Sequence, residues 1–174
     1  MRRIYCLSLL LAMAACTGTD APENSVFAPK EVEFAVTFPG PPKISEVTGK
    51  GGWFAEPTTL QVASRGNRDL FPKAEVVKVD RNSLGDLSHA RLITYGMSYA
   101  ENQGFEAVEV TAEVKPFGPC HTVRGRKRME GLPYVFLVRT CFGSTSMVTQ
   151  YVSAPPAHFP PQGGVQFLAS LKVR

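Results

Sequence analysis

Cys120 and Cys141 bracket two runs of strand character, residues 121–129 and 133–142, joined at Met129-Glu130-Gly131-Leu132. A two-residue turn at Glu130-Gly131 makes facing positions sum to 261, and 120 and 141 sum to that number. The two cysteines therefore oppose each other across an antiparallel hairpin. Opposed residues at a non-hydrogen-bonded site have Cα atoms close enough for a disulfide. Closing a loop of this length stabilises the fold by about 3 kcal/mol in the chain-entropy view. A redox-active pair is the alternative, but no C-x-x-C motif accompanies it. The same alternation sorts the hairpin into faces. Arg124, Arg126, Arg128 and Arg139 share the disulfide's face. Val123, Met129, Tyr134, Phe136, Val138 and Phe142 fall on the other.

The rest of the chain is largely strand-like. Val32, Phe34, Val36 and Phe38 line one face of a strand over 32–38, which Pro39-Gly40-Pro41-Pro42 stops. Thr58–Ser64 and Glu75–Asp80 read as two more strands. Gly49-Lys50-Gly51-Gly52-Trp53-Phe54 reads as a hairpin tip, with Trp53 and Phe54 either an exposed contact or, as preferred, packed into the core. Ser83 and Asp86 supply helix-start chemistry, and Leu87, Ala90, Ile93, Met97 and Ala100 recur at helical spacing over residues 86–102. Gly104 is the expected stop. Gly96 inside this helix costs about 1 kcal/mol relative to Ala. Val108–Lys115 alternates cleanly, and Ser146–Val152 is a further strand. Residues 154–164 read as a Pro-rich loop, Gln166–Ser170 as a helical turn and Leu171–Val173 as a closing strand. This order predicts an α+β domain: a largely antiparallel sheet with one or two helices packed on it.

The start of the chain carries an address. Arg2-Arg3 is followed by an apolar run, Ile4–Ala15, too short to cross a bilayer. It fits a secretory signal. Leu11-Ala12-Met13-Ala14-Ala15-Cys16 resembles a bacterial lipoprotein signal, with Met13 where Leu is usual. The resemblance implies that residues 1–15 are removed and that Cys16 is acylated, palmitate being a typical chain. Two or three acyl chains anchor a protein firmly. The alternative is an ordinary signal cleaved after Ala15, leaving Cys16 a plain thiol. Thr17 in place of Asp implies, by resemblance, an outer membrane facing the periplasm over the inner membrane. Residues 16–30 read as anchor and tether, and 31–174 as one domain. Formal charge is +4, and about +2 once Arg2 and Arg3 leave. That balance, with export, argues against nucleic acid. Cys120–Cys141 fits the same oxidising compartment.

Two segments carry a family resemblance. Phe34-Ala35-Val36-Thr37-Phe38-Pro39-Gly40-Pro41-Pro42-Lys43 resembles the opening strand of PsbP-like domains in bacterial lipoproteins. Phe167-Leu168-Ala169-Ser170-Leu171-Lys172-Val173 resembles their closing segment. The resemblance spans residues 31–173 and implies an α/β/α sandwich that binds and stabilises larger assemblies. The Pro-rich stretch 154–164 departs from the pattern and shortens the last helix. No ligand site carries over.

The candidate sites are few. Arg124, Arg126, Arg128 and Arg139 form a basic face for anionic headgroups or an acidic envelope protein. The plainer reading, and the preferred one, is a solvated face that resists edge pairing. His89, His121 and His158 lack a second ligand at metal spacing. Glu109 and Glu113 read as solvated. No catalytic residue, metal or cofactor is expected. The functional expectation is a lipid-anchored accessory or binding protein of an envelope complex. The alternatives are an envelope hydrolase with a site assembled only in three dimensions and a carrier of a small apolar ligand.

Overall fold

A computed structural model describes residues 24–30, 32–51, 54–64, 72–79 and 84–174. The signal, Cys16, Thr17 and Trp53 lie outside the described residues. The chain is an α+β domain built on antiparallel pairing throughout. Strand β1 (Ser25–Phe27), β2 (Phe34–Phe38) and β10 (Lys172–Val173) form a small sheet in the order β1-β2-β10. The large sheet runs β3-β4-β5-β9-β8-β7-β6. Its strands are β3 (Lys43–Gly51), β4 (Phe54–Ser64), β5 (Lys73–Lys78), β6 (Glu106–Lys115), β7 (Gly118–Met129), β8 (Leu132–Phe142) and β9 (Ser146–Ala154). Helix α1 (His89–Gln103) packs on β6 and β7, and α2 (Gly164–Ala169) on β9 and β2. Among the described residues no helix is long and apolar enough to cross a membrane.

Both faces of the large sheet are covered where its centre lies. One face carries Ala74, Val76, Cys120, Cys141, Val148 and Val152, packed against Phe34, Val36 and Phe38 of β2 and Phe167 and Leu168 of α2. The other carries Val123 and Val138 beneath Ala100 of α1, and Phe142 and Met147 beneath Leu92. The α+β expectation of a largely antiparallel sheet with two helices packed on it holds. The sheet's second cover is the small sheet plus a six-residue helix, consistent with the shortening expected from residues 154–164.

The tether is shorter than expected. Ser25–Phe27 pair with Val36–Phe38, and Phe27 is buried edge-on against Phe38. The folded part thus begins before residue 31. An apolar Phe inside a polar, Pro-containing segment is the signal for this. Strand β3 also escapes the sequence reading. Lys43–Glu46 and Thr48 are exposed, so no apolar face marks it, and pairing with β4 makes it a strand. The hairpin tip near Gly52 is placed as expected, since Gly51 pairs with Phe54.

Helix α1 ends at Gly104, whose left-handed conformation directs its N–H to the last carbonyls. The buried face is Leu92, Gly96 and Ala100, whereas Ala90 is exposed and Met97 is 49% exposed. The expected stripe is thus rotated, because Gly96 is the contact point. A Cβ there would lie 2.5 Å from Val110 Cγ1 and 3.2 Å from His121 Cδ2 and Val123 Cγ2. The missing side chain lets helix and sheet approach closely.

Candidate functional site

The β7–β8 hairpin has the expected register: Met129 pairs with Leu132 and Cys120 with Cys141. Glu130 and Gly131 both have positive φ (51° and 81°), the conformation of a type I′ turn, whose twist suits a hairpin. Cys120 and Cys141 are disulfide-bonded with Cα atoms 4.1 Å apart and no exposure. Beyond them on the same face come Thr122 and Arg139, then Arg124 and Leu137, Arg126 and Val135, and Arg128 and Pro133.

The four arginines share a face but not an environment. Arg139 is a correction to the outward basic stripe. It lies half-buried beneath α2, donating to the Leu168 carbonyl at 3.2 Å and the Thr122 hydroxyl at 3.5 Å. Glu113 lies 3.8 Å from it and 2.8 Å from Lys115. Strand parity sets which face a side chain takes, not whether a distant element covers it. Arg124 holds its guanidinium over the Phe159 ring, 5.8 Å from the centroid, and stands opposite Glu109. Arg126 stands opposite Glu106. Arg128 is exposed and donates to the Gly131 carbonyl at 3.3 Å. Glu109 is exposed as expected, but Glu113 is half-buried and ion-paired. The basic stripe is thus flanked by the acidic residues of β6.

Arg124 lines a cleft of about 390 Å³. Its floor is Glu109, Thr111, Thr122, Arg124 and Leu137, and its wall is Phe159, Pro160 and Val165. A hollow of about 160 Å³ continues past Glu109 and Arg124 to Arg126 and Val135. The bulge between Glu106 and Glu109, with Ala107 at φ 49°, shapes its rim. The cleft offers one cation on an aromatic face, one carboxylate, two hydroxyls and an apolar wall. Sequence reasoning missed Phe159 and Pro160, since residues 154–164 read as loop. A Phe among prolines, seated by the 3-10 turn at Pro156–His158, was the available signal.

The histidines do not converge. His89 begins α1 and His158 ends the 3-10 turn, both exposed. His121 is 1% exposed beneath Gly96, its ring 5.9 Å from that of Phe142. Burial pushes its pKa down to about 4. Among the described residues, no group of three or more His, Cys, Asp or Glu could hold a metal ion.

A second polar cluster, unanticipated from sequence, lies on the α1 side of the sheet. Tyr151 donates to Glu75 at 2.5 Å, and Lys73 pairs with Glu75 while lying 4.8 Å from the Tyr151 ring centre. Burial first, then the Tyr99 and Glu75 groups beside it, raise the Tyr151 pKa well above that of a free phenol. Both features keep the phenol protonated as a donor.

No protein-family model matches the chain, and no curated protein matches it. Among solved structures, LpqN, involved in cell envelope biogenesis of Mycobacterium tuberculosis, is similar at 10% identity with a TM-score of 0.38. The match covers 88% of this chain and 81% of that chain. A superposition at that score carries no argument about function. The two segments quoted for the PsbP-like resemblance form β2 and the α2–β10 closure, and β2 pairs with β10 in the small sheet.

Proposed function

We propose that this chain is an exported, lipid-anchored accessory protein that binds a partner in the bacterial envelope. The signal ending at Cys16 and the buried Cys120–Cys141 bond support the compartment. The observation that carries the binding role is the cleft beside Arg124. It presents a guanidinium on the Phe159 face next to an apolar wall of Leu137, Pro160 and Val165. Such a site suits a protein segment with a carboxylate followed by an apolar side chain. Carboxylate meets guanidinium with charge-assisted geometry, and the apolar group fills a partly desolvated pocket.

The test is site-specific photocrosslinking in intact cells. A crosslinker at Val165 is expected to capture one recurring envelope protein, and Arg124→Glu is expected to abolish that adduct. A crosslinker at Met97, on the opposite side of the sheet, is the control. Equal adducts from both positions, or an adduct unchanged by Arg124→Glu, would overturn the reading.

A second reading draws on the same wall. The cleft is near the lower end of the size range for small-molecule sites, about 300–1,000 Å³. Carriage of a small apolar ligand predicts that native mass spectrometry finds it bound, and that Val165→Glu releases it.

A further inference from the structure

The tip of the β7–β8 hairpin stands clear of its sheet. The last pair joining β6 to β7 is Glu106 with Arg126, and the last joining β9 to β8 is Ala154 with Val135. Beyond them Lys127–Tyr134, Arg128–Pro133 and Met129–Leu132 pair only with each other, a two-stranded ribbon about 10 Å long. Its end is apolar: Met129 is 44% and Leu132 61% exposed, and they face each other across the turn. Behind them stand the cations of Arg126, Lys127 and Arg128. The Lys127 ammonium donates to the neutral Gln103 carbonyl at 2.8 Å, so its charge is not cancelled there. Glu130, in the turn, and Glu106, opposite Arg126, are the acidic groups nearby.

The chain enters the large sheet at Lys43, on the end of its strand that points toward the tip. Ala154 pairs with Val135 near the tip, Lys73 with Tyr151, Ser64 with Lys73 and Lys43 with Ser64. Lys43 is therefore level with Val138, six positions short of Leu132, at the end of the far edge strand that points toward the tip. Residues 39–42 join it to Phe38, and Phe38 pairs with Ser25. From Cys16 to Ser25 the chain spans at most about 30 Å in any conformation.

We infer that the domain rests end-on against an anionic lipid surface, with Met129 and Leu132 dipping into the headgroup region and Lys127 and Arg128 pairing with lipid phosphates. This rests on the lipid-anchor reading above. An apolar tip with a cationic collar, on a domain already held at the membrane, is what such docking needs. Burial of a few apolar groups and attraction of each cation to the surface act together. Held there by its anchor, the tip needs no strong affinity of its own.

The test uses the full acylated chain reconstituted in vesicles of phosphatidylglycerol and phosphatidylcholine carrying brominated acyl chains. Leu132→Trp adds a fluorophore at the tip, read as the difference from the parent chain with its single Trp53. Roughly a twofold loss of that added emission is expected in anionic vesicles, with less loss in pure phosphatidylcholine. Replacing Lys127 and Arg128 by Glu is expected to relieve the quenching. Val114→Trp, at the far end of β6, is expected to stay unquenched. Equal quenching at positions 132 and 114 would overturn the proposal. So would a blue shift of the added tip emission without bromolipid quenching, which would mean that a second protein copy covers the tip. The mass of the chain reports Cys16 acylation separately. If it is not acylated, the anchor reading fails, and the same comparison of positions 132 and 114 on added vesicles still decides the tip.

Discussion

At its root the β7–β8 hairpin is enclosed, with Cys120–Cys141 unexposed and Arg139 held under α2. At its tip, less than ten residue pairs away, Arg128, Met129 and Leu132 stand in solvent. One alternation runs through both ends. The small sheet and α2 cover the root and stop short of the tip, and α1 reaches the tip only where Lys127 donates to the Gln103 carbonyl, so the same side-chain pattern becomes core at one end and surface at the other. The root is where stability resides, and the tip is free to serve an interface.

Removing the disulfide attacks the root most directly. Replacing Cys120 and Cys141 by Ala is expected to lower stability by about 3 kcal/mol, read by urea denaturation. A variant as stable as the parent would show that the root does not depend on its crosslink.

Acid probes the root through His121. Its folded pKa is depressed to about 4 by burial, against 6.5 for the unfolded chain. Between those values the unfolded state binds the proton and the folded state does not, so stability falls as pH drops from 6.5 toward 4. The expected total is about 3 kcal/mol. His121→Phe is expected to flatten that window relative to the parent, measured as denaturation midpoints across pH.

Gly96→Ala separates propensity from packing. Ala favours a helix by about 1 kcal/mol. The clash with Val110 costs about 1–3 kcal/mol. Net destabilisation in thermal melts is expected, and a stabilised variant would mean that α1 can lift from the sheet at little cost.

The arginines give the finest contrast. Arg139→Ala is expected to cost about 1–2 kcal/mol, because it removes the donor to the part-buried Leu168 carbonyl, while Glu113 keeps Lys115. Arg128→Ala at the tip is expected to change stability by less than about 0.5 kcal/mol. Equal losses would erase the distinction between root and tip.

Much of the architecture was legible from local pattern. Phe34, Val36 and Phe38 are buried as the alternation of β2 implies, and Gly104 caps α1. What escaped has a common cause. Strand β3 has exposed polar residues and exists through its partner β4, and Phe27 joins the core only because β1 finds β2. The cleft was illegible for the same reason. Phe159 and Arg124 are distant in sequence, and neither carries a local sign of the other.

The sequence by itself determined the hairpin register, its disulfide partners and the face each arginine takes. Those follow from turn length and the two-residue period of an extended backbone, which are local quantities. Only the tertiary structure decided that Arg139 is covered, that Arg124 rests on Phe159, that Gly96 is a contact point and that the hairpin tip runs past its neighbouring strands. Each depends on where a remote element ends, and strand periodicity holds no information about that.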